Sequence, residues 1–205
     1  SSDLKLDRDK IGAAALELVD RDGDFTMPGL AAHLDVQVAA IYHHVAGGRS
    51  GVIELIRVMA TGPVDASAFD RLPWDEAFPL WAQSFMGAFR AHSTAIRLLA
   101  TETVRAPSIL AIYSTVASGL RRAGFPDNQI LAIITAAESF FLGAALDSVA
   151  PDVMLTSGDD SSEDLRIVLA TAPSGPARAA QAFEIGVRVF VEGLRTLLAE
   201  VEAGS

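Results

Sequence analysis

Apolar residues recur along most of the chain with the spacing of an amphipathic α-helix. In the first such segment, Ile11, Ala14, Ala15, Leu18 and Val19 repeat at intervals of three and four residues, which places them on one helical face. No alternating run of apolar and polar residues is long enough to predict a strand. The pattern therefore predicts an all-α fold.

Gly, Pro and polar residues divide the chain into a series of such helices. The predicted helices cover residues 8–21, 26–34, 37–44, about 52–62, 74–92, 94–103, 107–123, 127–149, 163–170 and 177–201. Residues 61–73 are loop-like and predict a domain boundary. Residues 151–163 are polar and acidic and predict a loop.

The composition excludes several functional classes. Half of the 205 residues are hydrophobic and none is Cys. The chain can therefore bury a core, but it cannot form a disulfide scaffold, a Cys-type zinc site or a thiol nucleophile. The HExxH, GxSxG and P-loop motifs are absent, so we expect neither an enzyme nor a bound metal or cofactor.

Neither a signal peptide nor a membrane span is predicted. The first residues, SSDLKLDRDK, contain no apolar run. The most apolar stretch, residues 130–146, carries Glu138 in its middle and predicts a buried helix instead. We expect a cytoplasmic protein without a membrane partner.

The charge of the chain is unfavourable for a general polyanion binder. The net charge is −10 and the isoelectric point is about 4.7. Residues 1–60 hold six basic and nine acidic side chains, a net charge of −3. This balance argues against an extended nucleic-acid or anionic membrane surface, but it leaves room for one local cationic surface.

Residues 26–45 have the spacing of a helix-turn-helix. Thr26 occupies an N-cap position and Pro28 follows in the first turn. Small Ala31 allows the two helices to cross closely. Asp35 lies where the turn requires a positive φ, which Asp tolerates. The following helix would then reach the major groove of DNA.

With its leading helix, TMPGLAAHLDVQVAAIYHHV resembles the DNA-binding region of the tetracycline repressor (TetR) family over residues 8–60. Residues 41–45, IYHHV, fit the family pattern of a hydrophobic residue, Tyr, any residue, His, and Val or Phe. WDEAFPLWAQSFMGAFRAH and AESFFLGAALD resemble its tetracycline-repressor-type C-terminal domain. The resemblance implies a three-helix helix-turn-helix DNA-binding domain in residues 1–62 and a helical ligand-binding and dimerisation domain in residues 63–205.

The resemblance also implies a function, that of a ligand-responsive transcriptional repressor. Such a protein binds double-stranded DNA at a palindromic operator as a homodimer and is released by a small hydrophobic effector. The positions implied to contact DNA are Thr26, Gln37, Val38, Ala39, Tyr42, His43, His44 and Arg49. Of these, residues 37–39 should lie nearest the base edges, and most of the others near phosphates.

Two departures from the family pattern favour weaker DNA binding. The recognition helix has no Lys or Arg, so it cannot make an Arg–guanine contact. The linker before the fourth helix, AGGRSG, has Arg49 as its only basic residue. Lys5, Arg8 and Lys10 in the N-terminal arm could supply the missing cations. The alternative is a dimeric small-molecule-binding protein of repressor ancestry with weak or lost DNA binding.

The C-terminal part offers candidates for an apolar ligand site with a few polar groups. An aromatic stripe and nearby polar residues supply them: Trp81, Phe85, Phe89, His92, Tyr113, Glu138, Phe141 and Asp147. They favour a hydrophobic, aromatic or polyketide-like molecule with one polar or cationic group. Ordinary core packing is the alternative for each aromatic residue.

Small and apolar residues on the long helix and the last helix predict a dimer interface. Two such helices from each chain would form a four-helix bundle. The candidate positions are Ala136, Ser139, Gly143, Ala182, Gly186, Phe190, Gly193 and Leu197. Packing of the same surfaces within one chain is the alternative.

Overall fold

The computed structural model describes residues 6–203 and contains ten α-helices and two short 3-10 turns in that range, with no strand. The helices are α1 (Arg8–Asp22), α2 (Met27–His33), α3 (Val38–His44), α4 (Gly48–Thr61), α5 (Trp74–Ala91), α6 (Ile96–Leu99), α7 (Pro107–Ala123), α8 (Asp127–Asp147), α9 (Glu163–Thr171) and α10 (Gly175–Ala203). The predicted all-α fold is confirmed.

Helix α1 packs along α4 and forms the base of the N-terminal helices. Asp7 caps α1 by accepting a hydrogen bond from the backbone N–H of Lys10 at 2.8 Å, and Gly23 ends the helix with a φ of 81°. The two helices approach so closely that a Cβ on Gly12 would lie 3.1 Å from the Leu55 Cβ. A side chain at this position would therefore require its neighbours to shift by a few tenths of an ångström.

Helices α2 and α3 form the predicted helix-turn-helix. The Thr26 hydroxyl accepts from the backbone N–H of Gly29 at 3.0 Å and caps α2. Asp35 has a φ of 53° and is the non-glycine residue with a positive φ in the described range. The Val36 N–H then donates to the Ala31 carbonyl at 3.0 Å. Both the cap and the left-handed turn agree with the prediction.

An aromatic cluster forms the core of the C-terminal helices, where α5 lies against α8 and α10. Trp81 contacts Phe141 edge-on, with ring centroids 5.0 Å apart. Phe85 stacks on Phe89 at 4.9 Å, and Phe78 packs against both Trp81 and Phe141. Edge-to-face pairs of this kind add to the free energy gained by burying the rings.

Residues 94–103 do not form the single helix that the sequence predicted. A 3-10 turn, Ser93–Ala95, leads into the short α6, and the chain leaves the helix after Leu99. The Arg57 guanidinium donates to the carbonyls of Leu99 and Glu102 at 2.9 and 2.8 Å. In a continuing helix these carbonyls would accept from backbone N–H groups four residues later. Here they accept from the Arg57 side chain.

One helix in residues 6–203, α8, is long and apolar enough to cross a membrane, by length and composition alone. Its buried side chains, which include Ile134, Ala137 and Phe141, belong to the core. The structure thus agrees with the prediction of a packed helix. Its exposed face remains uncovered within the chain.

Candidate nucleic-acid interface and ligand cavity

Helix α3 is anchored by one side and exposes the other. Ile41 is fully buried beneath it, and Val38 packs partly against the core. Gln37, which precedes the helix as its N-cap, is exposed, as are Ala39 and His43. The end of α3 that is predicted to contact bases is therefore accessible to the major groove of DNA.

The residues expected to contact phosphates differ in their solvent exposure and in the contacts that they already make. Tyr42 is 53% exposed, and His44 is half-buried. Thr26 is exposed at the start of α2, where its hydroxyl can still donate while its oxygen accepts from Gly29. Arg49 instead contacts its own chain.

The Arg49 guanidinium donates to the Phe25 carbonyl and to the Asp24 carboxylate, both at 2.7 Å. It also lies 4.5 Å from the centroid of the Phe25 ring. These contacts connect the start of α4 to the residues before α2. Arg49 therefore positions the helix-turn-helix, and it needs to exchange partners to reach a phosphate.

The other arginines of the N-terminal part are also engaged. Arg21 pairs with Asp22, Arg57 pairs with Glu54, and Arg8 contacts the His44 carbonyl at 3.5 Å. Lys5, a predicted contributor, lies outside the described residues. The cationic surface near α3 is thus smaller than the basic residues of the sequence suggest.

The glycine linker between α3 and α4 has a geometric reason. Gly47 and Gly48 have φ values of 82° and 57°, which side chains rarely adopt. The Tyr42 ring lies 3.0 Å from the Cβ position of Gly48, and a Cβ on Gly51 would collide with the Ala46 carbonyl oxygen. The AGGRSG segment is therefore shaped by the tight turn that places α3 beside α4.

A cavity of about 850 Å³ lies between α7 and α8, within the usual range for small-molecule sites. It runs from the Arg121–Asp127 ion pair at one end to the Tyr113–Glu138 pair at the other. Thr103 and Val104, from the segment that follows α6, form part of its wall. The other wall residues lie on α7 and α8 and are mainly apolar: Leu110, Ala117, Ile130, Leu131, Ile134 and Thr135.

Tyr113 and Glu138 form the polar end of this cavity. The Tyr113 hydroxyl donates to Glu138 Oε2 at 3.0 Å. Burial raises the pKa of Glu138 to about 7, although the hydrogen bond from Tyr113 and the charge of Arg57 oppose the rise. Burial also raises the pKa of the Tyr113 hydroxyl, and the Glu138 charge adds to that effect.

The predicted aromatic lining is corrected by the structure. The rings of the aromatic cluster pack against one another and do not line the α7–α8 cavity. This correction applies to Trp81, Phe85, Phe89 and Phe141. Trp81 Nε1 is nevertheless buried without a hydrogen-bond partner in the described structure. A helical stripe of aromatic residues has the same sequence pattern whether it covers a cavity or a core.

His92 and Asp147 also lie elsewhere than predicted. His92 Nδ1 is 2.8 Å from an Asp20 carboxylate oxygen and joins the end of α5 to α1. Asp147 accepts two hydrogen bonds at 2.8 Å from Arg178 and joins α8 to α10. Of the eight predicted ligand residues, the structure brings only Tyr113 and Glu138 to this cavity.

Three α4 side chains contact the segment between α6 and α7, and we call them the α4 polar cluster: Ser50, Glu54 and Arg57. Ser50 donates to the Glu102 carboxylate at 3.1 Å, and Glu54 accepts from the backbone N–H groups of residues 105 and 106. The sequence analysis missed this cluster. An acid and a base three residues apart among the otherwise apolar residues 52–60 were its only signal.

Six of the predicted dimer positions are exposed, and two are not. Ala136, Ser139, Gly143, Ala182, Gly193 and Leu197 face outward on α8 and α10. Gly186 is covered by the Phe140 ring of the same chain. Phe190 stacks on Phe78 and Phe140 at 5.9 and 5.4 Å. These last two positions therefore make contacts within one chain.

Comparison with known proteins gives a consistent result. Residues 70–203 match the tetracyclin repressor-like C-terminal domain. An HTH-type transcriptional regulator from Saccharopolyspora erythraea is 32% identical over 148 residues, which span 68% of this chain and 59% of that protein. The match thus covers less than two thirds of the relative's length.

Two solved structures share the fold over nearly their full lengths. Apo ActR from Streptomyces coelicolor has a TM-score of 0.77 at 20% identity and covers 98% of both chains. TetR from Acinetobacter baumannii AYE has a TM-score of 0.67 at 25% identity, covering 95% of this chain and 99% of its own. With the matched C-terminal domain and the helix-turn-helix at its N-terminal end, this chain belongs to the tetracycline repressor (TetR) family of transcriptional regulators.

Proposed function

We propose that this protein is a cytoplasmic, ligand-responsive repressor that binds a palindromic DNA operator as a homodimer and is released by a small hydrophobic effector. The observation that carries the proposal is the helix-turn-helix, in which buried Ile41 fixes α3 while Gln37, Ala39 and His43 face outward. Gln37 is the side chain suited to bidentate hydrogen bonding with adenine. Family membership supports a regulator over an enzyme.

Complexes of structural relatives support the two ligand classes. BioQ has been solved with its double-stranded DNA operator, and ActR with actinorhodin. These ligands belong to those proteins. For this chain, we propose DNA at α3 and an unidentified effector in the α7–α8 cavity.

The homodimer is proposed from uncovered apolar surface. A Cβ on Gly143 or Gly193 would meet nothing within 4 Å, so a partner helix could approach closely at both positions. Leu146 on α8 and Val189 on α10 are 48% and 63% exposed. A four-helix bundle made from α8 and α10 of two chains would cover this surface. Two-fold symmetry would then require a palindromic operator.

Coupling between the two sites is proposed to run through the α4 polar cluster. Glu54 and Arg57 contact residues 99–106, and residues 103 and 104 of that segment line the cavity. Displacement of the segment by an effector would move α4 and, with it, α3. We place the domain boundary at residues 62/63, directly after α4, so α4 belongs to the DNA-binding domain.

A second candidate function is a dimeric ligand-binding protein with weak or lost DNA binding. The guanidinium groups of Arg21, Arg49 and Arg57 already form ion pairs with acidic side chains of the same chain. This favours the second candidate, because paired arginines are less available to phosphates. The net charge of −3 in residues 1–60 points the same way.

Selection from a randomised duplex pool at low salt distinguishes the two candidates. The repressor proposal predicts enrichment of a palindrome. Gln37→Ala should then bind that duplex about tenfold more weakly, because one base-edge contact is lost. Gln83→Ala, an exposed glutamine on α5, is the matched control and should bind like the unmodified protein. Absence of any enriched duplex would favour the second candidate.

A further inference from the structure

Glu138 is the one acidic side chain at its end of the α7–α8 cavity, and it has a single hydrogen-bond partner in the described structure. That partner is the neutral Tyr113 hydroxyl, which contacts Oε2 at 3.0 Å. The surrounding side chains include Leu110, Ala117 and Ile134, which are apolar. A carboxylate in such surroundings has lost much of its hydration without gaining a cation.

The neighbouring charged groups are already neutralised. Arg121 and Asp127, at the far end of the cavity, pair with each other at 2.7 Å. The charge of Arg57 on α4 acts on Glu138, but Arg57 pairs with Glu54 at 2.9 Å and donates to two backbone carbonyls. The cavity therefore lacks a counter-ion for Glu138.

We propose that the effector carries a basic nitrogen, which binds as a protonated amine to the Glu138 carboxylate, while its apolar body lies along the α7–α8 groove. The inference rests on the proposed function, since it names the chemistry of that effector. A neutral donor could fill a lone pair of the carboxylate, but its negative charge would remain uncompensated. A cation supplies both the hydrogen bond and the charge.

The groove also limits the size of the apolar body. Tyr113 and Arg121 lie eight residues apart on α7, which is roughly 12 Å along a helix. A body of two or three fused or linked rings fills that length. The cavity volume of about 850 Å³ is sufficient for it.

Two probes that differ in one atom test the inference. Both are dansyl amides; one carries a 2-(dimethylamino)ethyl arm and the other its uncharged isostere, a 3-methylbutyl arm. At pH 8, fluorescence titration should give a Kd about tenfold or more lower for the amine. Glu138→Gln keeps the shape and the Tyr113 hydrogen bond, and it should bring the two Kd values together. Asp127→Asn, at the other end of the cavity, should leave their ratio unchanged.

The same titration at pH 5 guards against a misfolded variant. Protonation of Glu138 should shrink the ratio in the unmodified protein. Equal affinities for the two probes at pH 8 would overturn the inference. A ratio that persists in Glu138→Gln, or binding of neither probe, would also do so.

The DNA selection is independent of these titrations. Enrichment of a palindrome together with equal probe affinities would overturn the amine inference alone. A tenfold preference for the amine without any enriched duplex would overturn the repressor proposal alone.

Discussion

Glu54 on α4 accepts a hydrogen bond at 2.9 Å from the backbone N–H of Ala106, the residue that precedes α7. The same oxygen accepts from the Arg105 N–H at 3.0 Å, and the other accepts from Arg57 at 2.9 Å. Burial raises the pKa of Glu54, but these hydrogen bonds outweigh it, and the pKa is lowered. One carboxylate thus joins α4 to the start of the helix that carries Tyr113.

Glu54→Gln should destabilise the protein by about 1–3 kcal/mol, because Arg57 loses its charged partner and two backbone N–H groups lose a charged acceptor. Urea unfolding at pH 7 measures the change. Since the folded-state pKa is lowered, this stabilisation is present above the unfolded pKa and is lost as the pH falls through the folded one. The difference from the unmodified protein should therefore shrink in acid. Glu200→Gln, exposed near the end of α10, is the control, and an equal effect there would contradict the role of Glu54.

Arg49→Ala should lower stability as well as any DNA affinity, because it removes two hydrogen bonds and the contact with the Phe25 ring. We expect a loss of about 1–2 kcal/mol. Tyr42→Phe removes only an exposed hydroxyl, so it should weaken DNA binding without changing the unfolding midpoint. Thermal unfolding and fluorescence anisotropy together separate the two effects. An unchanged melting temperature for Arg49→Ala would show that its contacts contribute nothing to folding.

Glu138→Gln should stabilise the protein at high pH and not at low pH. Burial raises the folded-state pKa of Glu138 to about 7, well above the ordinary value of a glutamate. The stability that the protein gains from a neutral Glu138 is therefore fully present below the unfolded-state pKa, and it is lost as the pH rises through the folded-state pKa. At pH 8 the variant should be more stable by roughly 1–3 kcal/mol, and at pH 4 the two proteins should unfold alike. Urea titrations at both values check this, and a pH-independent difference would refute the raised pKa.

Gly143→Arg should convert the proposed dimer to a monomer without unfolding the chain. The position is open within the chain, and replacing a mid-helix glycine favours the helix by about 0.5–1 kcal/mol. Gly87→Arg on α5 is the matched control, because a Cβ there also meets nothing within 4 Å and the position lies outside the proposed interface. Sedimentation velocity should give a smaller species for Gly143→Arg only. Two dimeric variants would argue against the α8–α10 interface.

Local signals predicted the N-terminal helices well. The cap at Thr26 and the positive φ at Asp35 depend on residues close in sequence, which is why the sequence contains enough information to place them. The helix over residues 94–103 was wrong because Arg57, more than forty positions earlier, binds its carbonyls. No window of local sequence contains that contact.

The candidate cavity was only partly predictable for a related reason. Tyr113 and Glu138 were chosen for their chemistry and do line it. Trp81 and Phe85 were chosen for their helical spacing, and they lie in the core. Helical spacing identifies which residues share a face. It does not identify what lies opposite that face.

The central claim is that α3 is the recognition helix of a homodimer, and fluorescence anisotropy tests it most directly. A labelled palindromic duplex from the selection would be titrated with the unmodified protein across a salt series. We expect two protomers per duplex and a linear fall of log K with log salt, with a slope of about −0.9 for each phosphate contacted. Failure to bind any duplex even at low salt would contradict the claim.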